Sequence, residues 1–257
     1  MMKTTTAHNK IRLWAVAVWL AVWQGASMAL EGLYPHGELL LSSPIDAAVR
    51  LVEMALTAEF YQTIAASAGR IFGGFFLACV LAVLAAALAA RVRVAEELLY
   101  PVVAAIKAVP VVSFIILALV WLDSRQLSLF ISALMVFPPV YLNVLAGIRG
   151  ADAKLLEMAR VFRVPLRRQL WGIYLPQVLP HFRSAVSLAL GLCWKAGAAA
   201  EVIGLPSGTI GENLYNAKVY YETPDLFAWT VVIVAVSIAF EKLFLAAVDR
   251  LAREVGA

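Results

Sequence analysis

Charge is scarce in this sequence: only 15% of its 257 residues are Asp, Glu, Lys or Arg, against 63% hydrophobic residues and a mean hydropathy of +0.84. Soluble domains are about half apolar and about one quarter charged, so a water-soluble fold could not hide this much apolar surface. Cysteine and histidine are scarce too. Cys79 and Cys193 stand inside apolar runs, which supports neither a disulfide framework nor a zinc site of paired thiolates. His8, His36 and His181 are far apart, and no metal site is assigned. The sequence has no Ser/His, paired-Asp or His-Glu-x-x-His constellation, so no catalytic residue is assigned and an intramembrane enzyme is a remote reading. It also has no Gly-x-x-x-x-Gly-Lys-Ser/Thr phosphate loop, so the chain does not hydrolyse ATP by itself in the usual way. The basic balance, net charge +4 and pI near 9.1, does not point to nucleic acid. The Lys and Arg residues cluster at the ends of apolar blocks without the aromatic interleaving of an RNA-binding surface.

Apolar blocks are what the chain does have, and six can be marked: 13–30, 59–90, 98–122, 128–148, 181–205 and 226–247. Each is near or above the roughly 18–20 residues that a helix needs to cross the hydrocarbon layer. Lipid offers the backbone no hydrogen-bond partners, so helices are expected. Blocks such as 75–90 lack the alternation of a β-barrel strand. The expected fold class is an all-α polytopic membrane protein with about six transmembrane helices. With the N-terminus placed inside, fifteen of the 21 Lys and Arg residues fall on inner segments, among them Lys3, Lys10, Arg12, Arg91, Arg93 and Arg149. Only Arg50, Arg125 and Lys218 fall outside, and Arg70, Lys107 and Lys195 lie within blocks. That asymmetry predicts an N-in, C-in topology.

The first block reads two ways, as a retained span or as a cleaved signal peptide, and its length favours retention. The domain organisation expected is an N-terminal transmembrane helix and outer loop over 1–58, then a transmembrane domain over 59–250 with the 150–180 loop inside it. Segment 31–53 reads as an outer loop with a short amphipathic helix around Asp46 to Met54, and 206–225 as a second outer segment with Gly208, Gly211 and Pro224. Gly69 and Gly73 form a GxxxG step, read as helix packing inside one chain or as a dimer seam. Phe137-Pro138-Pro139 should kink the fourth span. Trp14, Trp19, Trp23, Trp121 and Trp171 suit interfacial belts.

The 150–180 loop, between the fourth and fifth spans, is the longest inner connection. From Asp152, a plausible N-cap, Leu155, Leu156, Met158, Ala159 and Phe162 alternate with Lys154, Glu157 and Arg160 as in a short amphipathic helix. Pro165 suits the first turn of a second helix, expected to run to about Tyr174 and stop before Pro176. Such an elbow leaves an apolar stripe to be covered, either by lipid headgroups or by the groove of another protein.

The run Glu157-Met158-Ala159, then Arg163, then Ile173-Tyr174-Leu175-Pro176 resembles the Glu-Ala-Ala loop of ABC importer permeases, with Met158 in place of an Ala and Arg163 in place of the family Gly. The likeness extends over about 67–255 and is closest to the nitrate, sulfonate and taurine branch. Ser67, Arg70 and Gly74 match its Ser-x-x-Arg-x-x-x-Gly opening. Pro101, Lys107, Val109 and Pro110 match its third-span start, and Trp194 with Glu201 its fifth span, while Asp123 stands where Gly is usual. The resemblance implies a bacterial inner (plasma) membrane, multi-pass permease that couples through Glu157, Met158, Ala159, Phe162, Arg163, Pro165, Ile173, Leu175 and Pro176. It implies a second permease chain, two cytoplasmic ATPase subunits that use ATP and Mg, and a periplasmic or lipid-anchored solute-binding protein. It implies no cofactor bound by this chain and no nucleic-acid partner. An Arg at the family Gly position requires a differently shaped turn or a mild strain of about 1 kcal/mol.

Buried ions are where a solute path is sought. Lys195, with Trp194 beside it, reads either as an anion attractant lining the pore or as half of a structural pair with a carboxylate on a neighbouring helix. Lys107 lines the path or snorkels, Arg70 holds two helices together, and Glu201 is an intrachain partner or a gate. Three buried cations against one Glu lean toward a small anion such as nitrate, a sulfonate, taurine or bicarbonate, with vitamin-like heterocycles also compatible. The rival readings are an ion-coupled secondary transporter, which has no use for the elbow, and a non-transporting membrane anchor or sensor.

Overall fold

The computed structural model describes residues 13–255, all helix and connecting turns, so Lys3, His8, Lys10 and Arg12 lie outside the described residues. In chain order the helices are α1 (Leu13–Leu33), α2 (Pro44–Ala55), α3 (Ala58–Arg91), α4 (Arg93–Ala108), α5 (Val111–Ala118), α6 (Ser124–Arg149), α7 (Ala153–Val161), α8 (Leu166–Gln169), α9 (Leu175–Gly204), α10 (Ile210–Val219) and α11 (Thr223–Val255). Five are long and apolar enough to span a membrane, six if the bent pair α4 and α5 is one span. The short helix expected around Asp46 is α2. Pro44 stands in its first turn and Ser43 caps it, with Oγ accepting from the Asp46 N–H at 3.1 Å.

The third block departs from a simple span. α4 and α5 meet at 106°, with Pro110 at the corner as the residue that caps α5. Proline has no N–H to continue the ladder, and it pushes the residue before it out of the helical region. Val109 is accordingly extended, at φ −82°, ψ 132°. Pro138 and Pro139, by contrast, sit inside α6 with helical backbone on both sides, and the Asn143 side-chain amide donates to the Pro139 carbonyl at 2.8 Å.

α6 is the centre of the bundle, packed between α3 and α9. Its Val136, Val140 and Val144 meet Phe75, Ala78 and Ala82 of α3 and Ala185, Val186 and Ala189 of α9 in one buried cluster. Close approach is set by small residues, but not by the expected pair. A Cβ at Gly69 would meet nothing within 4 Å and one at Gly73 only a side-chain methyl at 3.6 Å, whereas one at Gly74 would lie 2.3 Å from the Leu129 carbonyl oxygen. The helical period turns Gly74, not Gly69, toward α6. α1 is peripheral: 6% of its apolar window is buried, against 56% for the segment containing α9. Of its tryptophans, Trp14 and Trp19 are exposed as a belt residue would be, but Trp23 is an internal anchor. Its Nε1 donates to the Ser42 carbonyl at 2.9 Å, and its ring lies 5.0 Å from Phe227.

Ion pairs tie helix ends together at both faces of the bundle. At the end carrying the 150–180 loop, Arg149 of α6 grips Glu96 of α4, and Arg183 of α9 grips Asp249 of α11. At the far end Arg50 of α2 holds Asp225 of α11 through two hydrogen bonds, which raises the Arg50 pKa above its ordinary value.

Candidate functional site

The elbow forms as a capped helix. Asp152 accepts from the Lys154 N–H at 2.8 Å, while its own N–H donates to the Gln177 side chain at 2.7 Å, tying the start of α7 to α9. α7 ends in a Schellman motif: Val164 N–H reaches the Ala159 carbonyl at 2.8 Å and Arg163 N–H the Arg160 carbonyl at 3.1 Å. The residue just past the cap, which donates the second of these bonds, must be left-handed, and Arg163 adopts φ +49°. The turn therefore keeps the shape glycine favours and accepts the strain of a side chain. Arg163→Gly is expected to stabilise the chain by about 0.5–1 kcal/mol, the left-handed penalty less the glycine entropy, read as a raised melting temperature in detergent.

Facing directions within the elbow are sorted by burial. Ala159 and Ile173 are buried, whereas Glu157, Met158, Phe162, Arg163 and Pro165 are exposed, and Leu175 and Pro176 lie partly buried at the foot of α9. The apolar stripe expected on α7 is therefore divided: Ala159 and, in part, Leu156 face the bundle, while Met158 and Phe162, the latter 75% exposed, point away from it. The second elbow helix does not stop before Pro176. α8 passes through a π turn, Leu170–Tyr174, directly into α9. In that turn Leu175 N–H bonds the Leu170 carbonyl, five residues back, so the ladder changes register just before a residue that cannot donate. Pro165 is the cap of α8 rather than part of its first turn.

A second constellation lies in the far half of the bundle. Glu201 is fully buried, and its Oε2 accepts from Ser67 Oγ at 2.7 Å and from the Gly211 N–H at 3.4 Å, while Ser67 Oγ accepts from the Ile210 N–H at 2.9 Å. The carboxyl group thus sits at the N-terminus of α10, where a helix favours negative charge. Arg70 is close enough to act on it electrostatically. Ser128 lies beside it without completing a hydrogen bond, and Glu201 Oε1 and Arg70 Nη1 are likewise buried without partners among the described residues. Gly211 allows this seat, since a Cβ there would lie 2.3 Å from Glu201 Cβ. α10 itself escaped the sequence reading, although Thr209-Ile-Gly-Glu212 spells a capping box. Thr209 Oγ1 accepts from the Glu212 N–H at 3.2 Å, and the Glu212 carboxylate accepts from the Gly208 N–H at 2.6 Å.

The remaining sequence candidates separate. Trp194 is buried in the core of the chain, 5.3 Å from the Phe72 ring. Lys195 stands on an exposed face of α9, and no carboxylate among the described residues pairs with it. One residue step turns a helix by about 100°, which is why neighbours in sequence part company here. Lys107, in the last turn of α4, borders a groove of about 420 Å³ shared with Glu96, Tyr100 and Tyr141.

A bundle of five or six apolar helices with an outward-facing elbow and a polar cluster pinning its far end is the architecture of a multi-pass membrane protein. The chain belongs to the family of binding-protein-dependent transport system inner membrane components, whose pattern it matches over residues 78–256. It is a multi-pass permease of the inner membrane, in a class that works with ATPase and substrate-binding partners. It is similar to the aliphatic sulfonates transport permease protein SsuC of Bacillus subtilis, 30% identical over 86% of this chain and 78% of that protein. It is also similar to the taurine transport system permease protein TauC of Escherichia coli, 26% identical over 88% and 82%. The riboflavin transport system permease protein RibX of Chloroflexus aurantiacus is 28% identical over 81% of this chain and 76% of that protein.

Proposed function

We propose that residues 59–250 form one half of a two-chain pore, most simply a homodimer, and that the 150–180 elbow is the seat of a cytoplasmic ATPase. The N- and C-termini lie inside, in keeping with the Lys and Arg asymmetry, and the first helix is retained, in keeping with the packing of Trp23 on Ser42 and Phe227. Two ATPases, using ATP and Mg, each receive one elbow, and their closure moves the elbows together and turns the pore outward. A solute-binding protein delivers its cargo to the far end. The exposed stripe of α7 supports this reading most directly. A helix that presents Glu157, Met158 and Phe162 to water from a bundle otherwise covered by lipid has a protein groove as its natural cover. The buried face, Ala159 and Ile173, makes the elbow rigid with α9, so a push on α7 reaches the pore.

Lys195 supports an anionic solute, a sulfonate such as taurine being the first to test. An unpaired ammonium group in mid-span costs roughly 2.5–3.5 kcal/mol against lipid, so a water-filled path is the favourable place for it. The similarity to a riboflavin permease keeps a flavin-like heterocycle as a second reading. The deciding experiment reconstitutes the chain with its ATPase and compares wild type with Glu157→Arg. Wild type should bind the ATPase and couple ATP hydrolysis to solute delivery. The variant, folded by its elution profile, should lose coupling by at least about ten-fold, about 1.4 kcal/mol of docking energy. Solute flux that continues without ATP would instead make the chain a secondary transporter.

A further inference from the structure

We propose that the groove between the elbow and the bundle is a binding site for an anionic phospholipid, one acyl chain lying in the groove and the phosphate held by Arg91. The groove encloses about 530 Å³ where α3, α6, the π turn and the end of α11 converge. That is within the range of small-molecule sites. Its walls are apolar, formed by residues such as Ala87, Val144 and Leu170, and Trp171 and Tyr174 stand at the elbow side. Such rings prefer the level of the headgroups. None of its lining residues is acidic, and its one cation is Arg91, the last residue of α3.

Charge complementarity selects the occupant. Arg93, Arg149 and Arg183 at the same end of the bundle are each engaged by a carboxylate, Glu97, Glu96 and Asp249. Arg91 has no hydrogen-bond or ion-pair partner among the described residues, nor do Arg167 and Arg168 on the turn that opens the elbow's second helix. An apolar slot lined by one unneutralised arginine matches a tail and a phosphate together, and basic pockets between spans on the cytoplasmic side favour anionic headgroups. The π turn sits in the groove wall, so an occupant there bears on the joint between the elbow and α9. The cytoplasmic placement rests on the orientation proposed above; the binding itself does not.

The test uses the full-length chain in detergent, incubated with equal amounts of phosphatidylglycerol and phosphatidylcholine, with retained lipid read by native mass spectrometry. Wild type should keep one phosphatidylglycerol per chain with about five-fold preference, the worth of about one cation near a headgroup. Arg91→Gln should lose the preference, and Ala87→Phe, which fills the slot without touching charge, should lose the lipid. Phosphatidylglycerol with brominated tails should quench the emission that Trp171→Phe removes, a readout on the unaltered fold. Equal retention of both lipids by wild type, or quenching that spares Trp171, overturns the proposal. Since no ATPase takes part, failure here leaves the coupling test of Glu157→Arg untouched, and the reverse also holds.

Discussion

Glu201→Ala is expected to lower the stability of the folded chain by about 3 kcal/mol, the loss typical of removing one member of a buried charged cluster. The variant takes away the acceptor for Ser67 Oγ and the Gly211 N–H, and it leaves Arg70 facing a cavity. Three elements come apart at once, because α3 supplies Ser67, α9 supplies Glu201 and α10 supplies the two amides. Glu201→Gln keeps the volume and an acceptor oxygen and should lose less than half as much. Thermal unfolding in detergent, followed by loss of the monodisperse elution peak, checks both. A Glu201→Ala variant that melts with wild type would remove the carboxylate from the structural role and return it to the solute path as a gate.

Gly74→Ala should destabilise by about 2 kcal/mol, because the added methyl meets a backbone oxygen and the crossing of α3 over α6 must open. Gly69→Ala, one turn away and in open space, should stay within about 0.5 kcal/mol of wild type. The same melting experiment separates the two glycines. If Gly69→Ala proved the costlier change while leaving the single chain folded, the GxxxG step would belong to the contact between two chains.

Much of the architecture was legible because its signals are local. Long apolar runs fix where spans lie, since lipid leaves the backbone no partner outside its own helix. Asp152, Ser43 and Pro44 announce helix starts through short-range caps that need no tertiary information. The elbow was readable from the resemblance carried by Glu157, Ala159, Ile173, Leu175 and Pro176, but that resemblance left two outcomes at Arg163, a reshaped turn or a strained one, and the structure takes the left-handed, strained one. The capping box at Thr209 and Glu212 is equally legible, yet 206–225 reads only as an outer segment because α10 lies among Gly and Pro residues.

What the sequence by itself determined is the class, an all-helical multi-pass protein with an exposed amphipathic elbow, because hydrophobic run length, capping and proline chemistry act within a few residues. The tertiary structure alone decided which face of each helix is inside. Trp194 and Lys195 look alike as neighbours in an apolar block, and only the packing of α9 on α3 and α6 sends one into the core and leaves the other exposed. It decided that Pro110 breaks a span at 106° while Pro138 and Pro139 leave α6 continuous. A proline's lost hydrogen bond can be absorbed in a helix held on both sides by neighbours, but it becomes a corner where the chain is free to turn. It also decided that Glu201, 134 residues from Ser67 in sequence, closes a hydrogen bond with it, a pairing set by the crossing of two long helices.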